Sequence, residues 1–154
     1  RKADLGERQA LAVITGFGTH TETIINATSI NSEGEAYYHA MKAAILDAGE
    51  PPEIIIAHAP GTLAGDKAEL RAVERLFGEK KPFLYSNKWQ LGHALGGAGA
   101  MSMALAINIL QAGKMPAFPY VLPFDQNKPK VVKNILINAM GFGGNAVSLM
   151  ISAK

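Results

Sequence analysis

Ile54-Ile55-Ile56-Ala57-His58-Ala59-Pro60-Gly61-Thr62-Leu63-Ala64-Gly65-Asp66 decides the fold class of this chain. Four apolar residues without a polar interruption are what a strand buried on both faces of a sheet requires. A histidine stands at the carboxyl end of that strand, followed by a Pro-Gly turn. Asp66-Lys67-Ala68-Glu69 then reads as a helix cap, with Leu70, Val73 and Phe77 recurring on one helical face up to Gly78. A buried strand, a polar turn and an amphipathic helix make the repeating unit of an α/β sheet.

The same grammar extends in both directions. Upstream, residues 11–18 (Leu-Ala-Val-Ile-Thr-Gly-Phe-Gly) read as a strand, and Ser32-Glu33-Gly34-Glu35 has the spacing of a capping box. Tyr37, Met41, Ala44 and Ala48 then share a helix face that Gly49 and Pro51-Pro52 end. Downstream, residues 82–86 form a short strand, and residues 94–112 are apolar or small almost all round, as befits a helix in the middle of a domain. Gly113 closes that helix, and a connection with Pro116, Pro119, Pro123 and Pro129 leads to strands over 131–138 and 146–152. Gly141-Phe142-Gly143-Gly144-Asn145 joins these two as a hairpin. The expected order is βαβαβαββ: a mixed, mainly parallel five-stranded sheet covered by helices, in a single domain over 1–154.

Composition narrows the function classes. Of the 154 residues 48% are hydrophobic and 18% charged, and the net charge of +2 is too small to argue for nucleic acid. No apolar run approaches the roughly 20 residues that span a bilayer, so no membrane partner is expected. The absence of cysteine excludes disulfides, thiolate metal sites and a cysteine nucleophile in this chain. Nothing points outside the cytoplasm. The start, Arg1-Lys2-Ala3-Asp4, suggests a piece of a longer protein.

Chemistry-bearing residues gather where strands end. His58 follows the first buried strand, Ser86-Asn87-Lys88-Trp89-Gln90-Leu91-Gly92-His93 follows the next, and the glycine-rich hairpin follows a third. Ligands of α/β sheets bind outside the carboxyl ends of strands. Taken singly, each feature has an ordinary reading: a structural histidine, a surface lysine, a tight turn. Their convergence on one sheet edge is what favours a site.

Together these residues resemble the condensing enzymes of the thiolase fold, specifically the C-terminal half of a β-ketoacyl-(acyl-carrier-protein) synthase. His58, Gly61, Thr62, Gly65, Asp66 and Glu69 match a His-Gly-Thr-Gly-Thr segment with its following Gly-Asp and glutamate. Lys88, Gly92, His93 and the small residues Gly96 to Gly99 match a second motif, and Asn138 to Asn145 echo a third. Ala59 and Pro60 depart from the usual Gly-Thr of the first.

The resemblance implies that His58 and His93 are neutral imidazoles donating to a thioester oxygen while malonyl-thioester loses carbon dioxide. Losing one such donor costs roughly 10²–10³ in rate. It implies that Lys88 pairs with Glu69 in support, that Asp66 and Thr62 are supporting residues of the first motif, and that Phe142 gates the acyl site on a loop freed by Gly141, Gly143 and Gly144. No metal or cofactor is expected, because substrates ride on the phosphopantetheine of an acyl carrier protein. The nucleophilic cysteine would come from the N-terminal half. The alternative is a non-catalytic, chain-length-factor-like subunit of a synthase heterodimer. Lys67, Arg71 and Arg75, at helical spacing, would suit an acidic carrier protein or simply a solvated face. Residues 94–112 should turn Met101, Leu105 and Ile109 toward another half-domain, in a homo- or heterodimer or within one longer chain.

Overall fold

A computed structural model describes residues 9–23, 31–117, 119 and 126–154. The opening residues 1–8 and Pro123 of the connection lie outside them. The elements are β1 (Val13–Thr21), α1 (Glu35–Ala48), β2 (Ile54–Ile56), α2 (Leu63–Phe77), β3 (Phe83–Tyr85), α3 (Lys88–Leu91), α4 (Ala98–Ala112), β4 (Asn134–Gly141) and β5 (Asn145–Ser152), with a 3₁₀ turn at Leu95–Gly97 before α4. The strands form one sheet in the order β1-β5-β4-β2-β3. β2 runs parallel to β3 and β4, and β5 is antiparallel to both β1 and β4. Four strands therefore point one way and only β5 is reversed, which is the mixed, mainly parallel α/β sheet expected from the sequence.

Two cores flank this sheet. On one face Ile55, Leu84, Leu136 and Met150 meet Tyr37, Met41 and Ala44 of α1 and Ala72 and Val73 of α2. On the other, Ile54, Ile56, Phe83, Tyr85, Ile135, Ile137 and Ile151 meet Ala106 and Ile109 of α4. Alternate residues of β2 thus serve opposite cores, and all three are fully buried.

Several local expectations are corrected. The capping box does not form. α1 begins behind Gly34, which adopts the left-handed conformation (φ 66°) and makes no side-chain cap. A Cβ there would press on the Ala68 carbonyl of α2, so the entry to α1 is shaped by close backbone approach. The cap of α2 is Thr62, whose hydroxyl accepts the Gly65 N–H, while Asp66 lies in the first turn. The basic stripe is spent inside the molecule. Arg71 pairs with Glu33 at 2.8 Å and Arg75 with Glu35 at 2.9 Å, tying α2 to the start of α1, and of the three only Lys67 makes no such bond among the described residues.

α4 carries the largest correction. Ala98, Ser102, Ala106 and Ile109 form its buried stripe, so Ile109 faces this chain's own sheet and not outward. Leu105 packs partly against the same core, whereas Met101 is 42% exposed. With the 3₁₀ turn, the helical run 95–112 is long and apolar enough to cross a bilayer by length and composition, contrary to the sequence expectation, with 22% of it buried. The apolar character that a double-sided core helix needs is present, and its outer side is open among the described residues.

Candidate active site

The parallel register of β2, β3 and β4 aligns Ile56 with Tyr85 and with Ile137, bringing three carboxyl ends to one edge. His58 leaves β2 there, Lys88 and His93 follow β3, and β4 continues to the Gly141 hairpin.

His58 is nearly buried (6% exposed), and His93 stands exposed on the rim. Their rings meet edge to face with centroids 5.2 Å apart and planes at 85°. His93 Nδ1 accepts the Leu95 N–H at 3.1 Å. In the neutral ring that bond leaves the proton on Nε2, the nitrogen free to donate elsewhere. Burial, then the neighbouring Lys88 and His93, lower the His58 pKa from 6.5 to about 4. His58 is therefore an uncharged donor near pH 7.

The backbone beneath His58 is held by Glu69. One carboxylate oxygen accepts the His58 N–H and the other the Ala59 N–H, each at 2.9 Å. Asp66 accepts the Gly61 N–H at 3.1 Å, closing the same turn. Ala59 adopts φ 35°, a region that residues with a Cβ avoid. This conformation explains why glycine is usual at that place in the motif.

The expected Lys88–Glu69 ion pair is not formed. Glu69 is committed to N–H donors, and its burial raises its own pKa against the pull of those bonds. Lys88 is half-buried, and desolvation lowers its pKa while Glu69 offsets this only through space. Lys88 opens α3, followed by Gly92 at φ 67°, whose N–H returns to the Lys88 carbonyl at 2.8 Å. That short turn separates Lys88 from His93 and sets both at the same rim.

Phe142 projects from the hairpin, 86% exposed, between Gly141 and the left-handed Gly143 and Gly144 (φ 84° and 68°). The described residues leave it open. Sequence reasoning missed Asn138, except as the start of a motif, and Ser148. Both are buried, with Asn138 Nδ2 donating to Glu69 Oε1 at 2.9 Å and Ser148 bonded to Asn138. For Asn138, a polar residue in an otherwise apolar strand was the available signal.

The His58 environment makes a stability prediction. An unfolded imidazole takes up a proton near 6.5, but the folded one resists until about 4. Falling pH therefore favours the unfolded state through that window. Between pH 7 and pH 5 the loss should be about 2 kcal/mol. Urea melts of the parent and of His58→Gln at the two values check this. The variant should lose that much less, and an equal loss in both would mean His58 is not buried uncharged.

With this geometry in view, the comparisons are specific. The family model for the beta-ketoacyl synthase C-terminal domain matches residues 11–121. The chain belongs to that family. Among curated relatives of this β-ketoacyl synthase domain, a 3-oxoacyl-[acyl-carrier-protein] synthase 2 of Mycobacterium bovis is 30% identical over 97% of the chain. The chain spans 37% of that relative's length. A solved beta-ketoacyl synthase from Burkholderia phymatum superposes with TM-score 0.81 at 26% identity, covering 99% of this chain and 40% of the other. A ketosynthase in complex with its chain length factor, from Xenorhabdus doucetiae, gives TM-score 0.83 at 26% identity, covering 96% and 40%. The synthase-type half-fold and the β-ketoacyl synthase C-terminal domain expected from the motifs are thus both found.

Proposed function

We propose that this chain supplies the decarboxylating side of a β-ketoacyl synthase active site, the acyl-carrying cysteine coming from an N-terminal half. The observation that carries this reading is the pair of imidazoles 5.2 Å apart, one uncharged by burial and the other with Nδ1 already occupied. Their Nε2–H groups can bind one oxygen. When the malonyl carbon–carboxylate bond breaks, its electron pair moves onto the α-carbon and the thioester oxygen, and carbon dioxide leaves. Donors placed at that oxygen stabilise the enolate as an oxyanion hole does. The enolate carbon then attacks the acyl-cysteine thioester, a carbon–carbon bond forms, and the cysteine thiolate departs.

Lys88 lies where a positive charge would favour both the enolate and the incoming carboxylate. The open side of α4 and the exposed Phe142 suit a second half-fold, since patches of that kind mark interfaces. The substrates are acyl and malonyl groups carried on acyl carrier protein, needing no metal or cofactor. The setting is the cytoplasm, and the assembly is a dimer.

One observation favours a second reading, a chain-length-factor-like partner: Ala59-Pro60 removes a hydroxyl from the first motif and puts a strained alanine there. One experiment separates the two. The full-length protein and the 154-residue chain are incubated with a labelled acyl-thioester and then denatured. The enzyme reading expects label bound to the full-length protein and none to the chain, which has no cysteine. Absence of label from both would overturn it in favour of the partner reading. Label on the chain alone would overturn the division of labour.

A further inference from the structure

Asn138 and Ser148 have no place in the chemistry above, yet they lie directly beneath it. Asn138 is 2% exposed and Ser148 fully buried, on the adjacent strands β4 and β5. Ser148 Oγ donates to Asn138 Oδ1 at 2.7 Å. With Oδ1 accepting, the amide has one orientation, and Nδ2 donates to Glu69 Oε1 at 2.9 Å. Glu69 in turn accepts the His58 and Ala59 N–H groups. The bonds run in one line from β5 through β4 and α2 to the turn that carries His58.

That turn needs holding. Ala59 sits at φ 35°, so the backbone relaxes toward an ordinary conformation if its two anchoring bonds loosen. Glu69 is a buried carboxylate that meets N–H groups in place of an ion pair, so each donor decides where its oxygens point. Asn138 is its one side-chain donor among the described residues.

We propose that Asn138, oriented by Ser148, is a positioning residue that aims Glu69 and through it fixes the His58 turn. Its consequence for catalysis rests on the reading of His58 as an oxyanion donor, but its test does not. In the full-length protein, hydrogen exchange of the His58 and Ala59 amides and the NMR titration of the His58 ring are followed in Ser148→Ala and Asn138→Ala. Ile109→Ala, which opens a cavity under α4 away from the turn, controls for general loss of stability. Exchange should accelerate at least about tenfold in Asn138→Ala and by a smaller factor in Ser148→Ala. The His58 titration should rise from its lowered position toward the ordinary imidazole range, because a loosened turn admits water. Ile109→Ala should move neither. Unchanged exchange and titration in both variants would overturn the proposal, as would an equal response to Ile109→Ala. If Asn138→Ala does not fold, Ser148→Ala decides alone. Neither readout involves turnover, so a failure here is distinct from a failure of the catalytic reading.

Discussion

His93→Ala in the full-length protein should slow carbon dioxide release from malonyl-thioester by about 10²–10³. The expectation is clean because His93 stands on the rim, so its truncation opens no cavity in the core. Among the described residues the ring makes one hydrogen bond, from the Leu95 N–H to Nδ1, and its loss frees an exposed backbone group that water can serve. What disappears is an Nε2–H donor on a ring whose centroid lies 5.2 Å from that of His58. A donor that acts when charge develops lowers the decarboxylation rate and leaves ground-state affinity nearly untouched. His58→Ala would be harder to read, since it empties a buried position above Glu69. Labelled carbon dioxide release at saturating malonyl-thioester is the measurement. Release at the parental rate would remove His93 from the site, as the chain-length-factor reading requires.

Much of this arrangement was legible in the sequence, and the reasons differ by element. Three consecutive isoleucines marked β2 because only a strand covered on both faces uses them without alternation. Gly49 and Gly113 ended helices through left-handed caps, as their positions suggested. The two histidines were found because each follows a buried strand in a parallel sheet, and parallel register puts such ends together. What failed depended on geometry with no local signature. The Ser32–Glu35 pattern looks like a capping box, but proximity of Gly34 to α2 sets the real entry, and Glu33 and Glu35 turn to arginines on that helix. Lys88 and Glu69 looked like charge partners because unlike charges in one site invite pairing. The N–H groups of His58 and Ala59 are closer and claim the carboxylate first. An all-apolar helix carries no stripe to read, so Ile109 was placed on the outer side of α4 when it belongs to the inner one. Ser148 was invisible for a related reason: a serine in a strand signals nothing until its facing neighbour is known.

Gly18→Ala should be among the most damaging single methyls in the described fold. A Cβ at Gly18 would fall onto the Ala40 carbonyl oxygen, with the Ala44 nitrogen at 2.7 Å and the Ala43 Cβ at 2.9 Å. Gly16, two residues earlier, meets the Ala44 carbonyl in the same way. α1 therefore rests on bare β1 backbone, and the obstacles are backbone atoms that no rotamer change can move. Relief requires lifting the helix as a body. That would draw Tyr37, Met41 and Ala44, all fully buried, out of their contacts with Ile55, Leu136 and Met150. Overpacking ordinarily costs about 1–3 kcal/mol, and a rigid backbone obstacle lies at or above the top of that range, so about 3–5 kcal/mol is expected. Against a typical total of about 5–15 kcal/mol, such a loss leaves the fold marginal. Gly99→Ala supplies the contrast. Its Cβ would have the Ala139 Cβ at 3.9 Å as nearest neighbour, and in α4 alanine should stabilise by about 0.5–1 kcal/mol. Denaturant melts of the two variants should then shift in opposite directions from the parent. A Gly18→Ala protein as stable as its parent would mean that α1 does not lie on β1. The bond that Asn138 Nδ2 donates to Met41 Sδ at 3.3 Å, which ties α1 to β4 beside Glu69, would then need another explanation.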